Sequence, residues 1–167
     1  MATIKQRITN CLWFDTQGEE AANFYVSIFP NSSIGKISRY GKEGFEYHRK
    51  EPGTAMVVEF VLVGQSFMAL NGGPDFKFSE AISFVINCET QEEIDYYWAK
   101  LTEGGEEVQC GWLKDKFGLS WQVVPVQLSE MMTHPDTERS QRVVKAFMQM
   151  KKFDLERLQQ EFDGVTA

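Results

Sequence analysis

Two stretches of the sequence echo each other: "TQGEEAANFY", beginning at Thr16, and "TQEEIDYY", beginning at Thr90, differ by a one-residue gap and conservative exchanges. Each follows an alternating run. Before the first, Asn10, Leu12 and Phe14 share one face while Cys11 and Trp13 share the other; before the second, Ile82, Phe84 and Ile86 alternate with Ser83, Val85 and Asn87. That is the period of a strand. The period then lengthens to that of a helix. Thr16 with Glu19, and Thr90 with Glu93, have the spacing of a capping box. Ala21, Phe24, Tyr25 and Ile28 continue the first helix until Pro30, and Ile94, Tyr97, Trp98 and Leu101 continue the second until Gly104 and Gly105. A strand-helix unit repeated after roughly seventy residues points to internal duplication.

Each unit is followed by three further strand candidates. After the first come "SSIGKISRYG", "AMVVEFVLVG" and "QSFMALNGG"; after the second come a short piece near Glu107, then "CGWLKD" and "GLSWQVVP". The expected fold class is therefore α+β, with two βαβββ modules over about residues 4–73 and 79–125. A charged irregular loop spans residues 41–54, and "NGGPDFKFS" separates the modules, its Gly-Gly-Pro breaking any regular element. Residues 1–126 form the body. Residues 127–167 have almost no strand character and are expected to add two or three short helices. Asp154 is placed as an N-cap with Phe153 and Leu158 as its hydrophobic staple; Leu155, Leu158 and Phe162 share a face, and Val143, Val144, Phe147 and Met148 form an earlier apolar stripe.

The chain has 167 residues and 43% hydrophobic content, enough for one ordinary domain with an appendage. Its 17 basic and 24 acidic residues give a net charge of −7, and an acidic surface repels a phosphate backbone, so nucleic acid is not an expected partner. No apolar run approaches the roughly 18 residues of a membrane span, and "MATIKQRITN" lacks the pattern of a secretory leader. The expectation is a cytoplasmic protein with no membrane partner. Cys11, Cys88 and Cys110 are odd in number and lack C-x-x-C spacing, which argues against a disulfide framework or a structural zinc and for buried free thiols.

Several residues invite a chemical reading. Glu59 interrupts the apolar run "MVVEFVLVG" on the face of Val57, Val61 and Val63; it either meets water, paired with a Lys or Arg, or sits partly buried with a raised pKa as a candidate general base. Trp112 follows Gly111 in a short strand and is placed to line a cavity, whereas alternation sets Trp121 opposite Gln122. Asn71 and the glycines after it suit either a mobile lip or a plain turn. His48 and His134 fall in a loop and beside a proline, where a surface role is expected.

The paired modules, with "CLWFDTQGEEAANFYVSIFP", "LNGGPDF" at the junction and "DKFGLSWQVVP" at the end, resemble the PhnB-like branch of the vicinal oxygen chelate (glyoxalase/bleomycin resistance/dioxygenase) superfamily. Members of that branch often carry the label 3-demethylubiquinone-9 3-methyltransferase. The resemblance covers roughly residues 4–125. It implies modules that each curl into half of a barrel-like cavity, a homodimer, and, in metal-dependent members, His or Glu ligands on the first and last strand of each module.

Carried over position by position, the resemblance places those ligands at Asn10, at Met68 or Leu70, at Ser83 or a neighbour, and at Gln122. None is a His or a carboxylate, and a divalent ion in a catalytic site usually needs about three strong protein ligands. The expectation is a cavity without the usual metal and with no cofactor. The methyltransferase label has no counterpart in the residues, since the first strand runs into "WFDTQGEEA" with one glycine rather than into a Gly-rich nucleotide loop. Three readings follow. The chain encloses a small organic ligand, with Asn10, Glu59, Met68, Leu70, Ser83, Trp112 and Gln122 as candidate contacts; or it is a metal-independent enzyme using Glu59 for proton transfer; or it is a dimeric scaffold without a ligand.

Overall fold

The structure, a computed structural model, describes residues 6–165. It divides into two compact units, residues 1–77 and 78–167.

The first unit runs β1 (Asn10–Phe14), α1 (Gly18–Ile28), β2 (Ser33–Arg39), α2 (Phe45–His48), β3 (Ala55–Leu62) and β4 (Gln65–Asn71). Its sheet has the order β1-β4-β3-β2, with β1 parallel to β4 and the other pairs antiparallel. The β3-β4 hairpin turns on Val63 and Gly64, both left-handed at φ 47° and 81°. That mirror-image turn matches the twist of a hairpin, though it costs a β-branched residue some strain. α1 packs on the sheet through Ala21, Ala22 and Tyr25, all fully buried. Tyr25 stacks on Phe60 with centroids 6.3 Å apart, and Phe60 on Phe67 at 5.3 Å. Burying one such ring contributes about 1.5–3 kcal/mol, so this stack anchors the unit's core.

The second unit repeats the topology: β5 (Ser83–Cys88), α3 (Gln91–Thr102), β6 (Glu106–Glu107), β7 (Trp112–Lys114) and β8 (Ser120–Pro125), in the order β5-β8-β7-β6 with β5 parallel to β8. The duplication and the α+β class are thus both present. α4 (Gln127–Met132), α5 (Thr137–Phe147) and α6 (Leu155–Asp163) follow within the same unit. Gly111, left-handed at φ 78°, leaves no room for a Cβ against Phe153. Beside it, the Cys110 and Gly111 amides donate to the Met150 and Lys151 carbonyls at 2.7 Å, joining the segment before α6 to the β6-β7 hairpin. Asp154 caps α6 as expected, accepting from Arg157 N at 3.0 Å, and Phe153 and Leu158 are both buried.

Three local expectations need correction. Thr16 does not cap α1: Gln17 occupies the N-cap position without a side-chain bond, and the Gly18 amide donates instead to Asn71 Oδ1 at 2.7 Å. Only the second capping box forms, Thr90 Oγ1 accepting from Glu93 N at 3.2 Å while Glu93 Oε2 accepts from Glu89 N at 2.7 Å. Met148 lies beyond α5 and is 60% exposed, so it does not extend the buried stripe. Of the three thiols only Cys88 is buried; Cys11 is exposed and Cys110 half-buried.

Candidate functional site

Strand side chains alternate between faces, so the face of each sheet not packed on its helix is a ready platform. In the first sheet Leu12, Phe14, Val58, Phe60, Phe67 and Ala69 are buried on the helix side. The register pairs Cys11 with Met68, Trp13 with Leu70, Leu70 with Val57 and Met68 with Glu59, which collects these residues on the open side. Met68, Leu70 and Glu59 therefore come together as candidates. Asn10 does not join them: it pairs with Phe67 and has the parity of Leu12 and Phe14, so it belongs to the helix side. Cys11 and Trp13 hold the open-face places on that strand. Both parities of β1 carry apolar residues, and this is why alternation alone left its orientation undecided.

Trp13 is fixed in place. Its indole N–H donates to the Gly73 carbonyl at 2.8 Å, its ring lies where a Cβ on Gly72 would have to be, and Phe76 meets it edge-on with centroids 4.8 Å apart. The "NGGPDF" junction thus folds over one end of the open face. Asn71, expected in a lip or turn, is instead 2% exposed. Its Oδ1 accepts from Gly18 N, its Nδ2 donates to the Ala55 carbonyl at 2.9 Å, and its own carbonyl accepts from Tyr40 Oη at 2.7 Å.

Glu59 is exposed. Of the two alternatives for this side chain, the structure shows the one that meets water rather than the partly buried one. The proton-transfer reading loses its motivating feature. His48 and His134 are engaged locally: the Nδ1 of His48 accepts from Lys50 N at 3.0 Å with its ring against Tyr40, and the Nδ1 of His134 accepts from Asp136 N at 3.1 Å with its ring against Phe162.

The second sheet brings its three candidates into contact. Trp112 pairs with Gln122 across β7 and β8, and Gln122 Nε2 donates to Ser83 Oγ at 2.9 Å. One pleat along, Lys114, Ser120 and Ser83 lie side by side in register on β7, β8 and β5. Lys114 forms an ion pair with Glu80. The hydrogen bond from Lys114 holds the Glu80 carboxyl below the usual range, and Glu80 in turn raises the Lys114 ammonium above its own. Ser120 escaped the sequence reading although it shares parity with Gln122, which was the signal available. Trp121 faces the other way as expected, buried, its indole donating to Asp115 Oδ2 at 2.9 Å. Asp115 Oδ1 also accepts from Phe117 N and Leu119 N, so this carboxylate closes the β7-β8 turn.

The strand positions that the resemblance assigns to metal ligands hold weak donors for a hard divalent ion. The open-face positions carry a thiol, an indole, a thioether, an aliphatic chain, a hydroxyl and an amide, with carboxylates at the exposed Glu59 and at Glu106 opposite Lys114. Desolvation of part of the side chain raises the Cys11 thiol above its ordinary value. Among the described residues no three His, Cys, Asp or Glu side chains are grouped to hold an ion.

Residues 6–124 match the family model described as 3-demethylubiquinone-9 3-methyltransferase. The chain belongs to that family. Among solved structures, the PhnB protein of Bacillus cereus, which carries the same methyltransferase name provisionally, is 38% identical with a TM-score of 0.65, over 72% of this chain and 100% of that one. A Pseudomonas aeruginosa protein is 20% identical (TM-score 0.57, 72% and 98% covered), and the fosfomycin resistance protein FosX of Listeria monocytogenes is 14% identical (TM-score 0.50, 77% and 98% covered). At those identities the last two show the fold alone. No curated protein matches it. Among the described residues no helix is long and apolar enough to cross a membrane.

Proposed function

We propose that this family member binds a small organic molecule against the open faces of its sheets, as a homodimer and without a resident divalent metal. The observation that carries the reading is the make-up of those faces: Trp13, Met68 and Leu70 on one, Trp112, Gln122 and Ser83 on the other, apolar and aromatic surface with a few neutral polar groups and with charge at Glu59 and Lys114. Such a lining suits a small ligand, and among the described residues no three His, Cys, Asp or Glu side chains are grouped to hold an ion. The methyltransferase reaction of the family label gains no support from the residues. The amide at the start of α1, where a nucleotide phosphate would be received in an alternating parallel fold, is already taken by Asn71.

Native mass spectrometry of the protein purified from its host, with metal analysis of the same sample, tests this. The expected result is twice the 19.2 kDa chain mass, with retained small-molecule mass and no stoichiometric metal. A divalent ion that survives dialysis at one per chain, or a monomer with no retained mass, overturns it.

A further inference from the structure

Ser120 is 1% exposed, yet its hydroxyl has no hydrogen-bond partner. Buried polar groups are almost always satisfied, so an orphan of this kind marks a place where something else supplies the partner. Two half-buried donors stand close by: Ser83 Oγ accepts from Gln122 Nε2 at 2.9 Å, which leaves the Ser83 hydroxyl proton to be given to whatever meets this face, and the Trp112 indole N–H is in the same position. Ser83 and Ser120 are register partners on adjacent parallel strands. Trp112 lies one pleat along, beside Gln122, with Val85 completing that row at 50% exposure.

We infer that the open face of the second sheet takes a neutral, flat molecule bearing a carbonyl oxygen, which accepts from Ser120 and Ser83 while its ring lies on Trp112 and Val85. The inference rests on the small-molecule reading above and narrows its ligand class. Charge decides between a carbonyl and a carboxylate. The one cation in the row, Lys114, is paired with Glu80 and stands opposite Glu106 in the β6-β7 register, so the local sum is one positive against two negative charges. An arriving carboxylate would add to that negative excess on a chain already at −7. The Lys114–Glu80 pair is partly exposed, at 31% and 60%, and pairs of that sort open at little cost.

Acetophenone serves as the probe, with ethylbenzene lacking the acceptor and benzoate carrying the charge, titrated into the ¹⁵N-labelled full chain while the Trp112 indole and Ser120 amide signals are followed. Acetophenone should shift both saturably, and Ser120→Ala should weaken it at least fivefold, with Ser120→Ala plus Ser83→Ala weakening it further. Ser120→Ala deletes an unpartnered hydroxyl, so its melting temperature should not fall. Ethylbenzene binding as tightly, benzoate binding more tightly, or unchanged affinity in Ser120→Ala, as expected of a hydroxyl that merely holds a water, each overturns the inference. If acetophenone fails while native mass spectrometry still finds a retained, metal-free ligand, this inference falls and the broader reading stands.

Discussion

Asn71 ties three parts of the first unit together, and its removal should be costly in a calculable way. Asn71→Ala strips the acceptor from the Gly18 amide and the donor from the Ala55 carbonyl. A buried polar group left unsatisfied costs about 1–3 kcal/mol, so the two together put the loss at about 2–6 kcal/mol. A domain's stability is only about 5–15 kcal/mol, so the change is large. Gly18→Ala should also destabilise, for a distinct reason: its new Cβ would lie 2.8 Å from Asn71 Oδ1 and 3.2 Å from the Ala69 Cβ. Overpacking of that kind costs about 1–3 kcal/mol. The two effects share one atom, so they cannot add. In the Asn71→Ala background the nearer obstacle is gone, and Gly18→Ala should cost at least about 1 kcal/mol less than in the parent. Urea unfolding followed by circular dichroism gives the cycle, and hydrogen exchange at the Gly18 amide reads the bond directly. Additivity within about 0.5 kcal/mol, or a Gly18 amide that exchanges no faster in Asn71→Ala, refutes the reasoning.

Two further outcomes follow from contrasts within the chain. Thr90→Ala should cost about 1 kcal/mol in urea unfolding through loss of its cap, whereas Thr16→Ala, at the matching place in the repeat, should cost nearly nothing because no cap bond is there to lose. Burial, with a smaller contribution from the Glu93 carboxylate, pushes the Cys88 thiol from 9.0 up to about 12, so a thiol reagent at pH 8 should modify Cys11 and leave Cys88 untouched in the folded protein. The unfolded chain ionises first, so the stability Cys88 contributes is fully present below about pH 9 and is lost as pH rises through about 12. Cys88→Ala should flatten the decline in unfolding midpoint across that window, and an equal decline in both proteins would count against it.

The duplicated topology was legible because it is written in local periodicity: alternation before Thr16 and before Thr90, then helical spacing after each. What the sequence hid was whatever depends on distant residues. Thr16 has the same letters as Thr90, but the start of α1 is capped by a side chain 53 positions away, and no local motif announces that. Asn71 looked like turn material because Gly-Gly-Pro follows it, whereas its burial comes from α1, β3 and Tyr40 converging on it. The candidate site was half legible. Ser83, Trp112 and Gln122 fall on one face, as the clear parity of β8 led one to expect, while Asn10 lies on the face opposite Cys11 and Trp13, a choice that alternation could not make because both faces of β1 carry apolar residues.

The joint between the β6-β7 hairpin and the segment before α6 is made largely of main-chain atoms, at Cys110, Gly111, Met150 and Lys151. Such a seam reads shape rather than spelling. The exposed side chains of this segment tolerate change more readily than its length does: an insertion or deletion there would unzip the appendage, while Met150 is held by burial and Gly111 and Phe153 by mutual fit. The family model stops at residue 124, so the helical tail is a fitting that a shorter relative could acquire by matching one backbone contour and keeping one glycine.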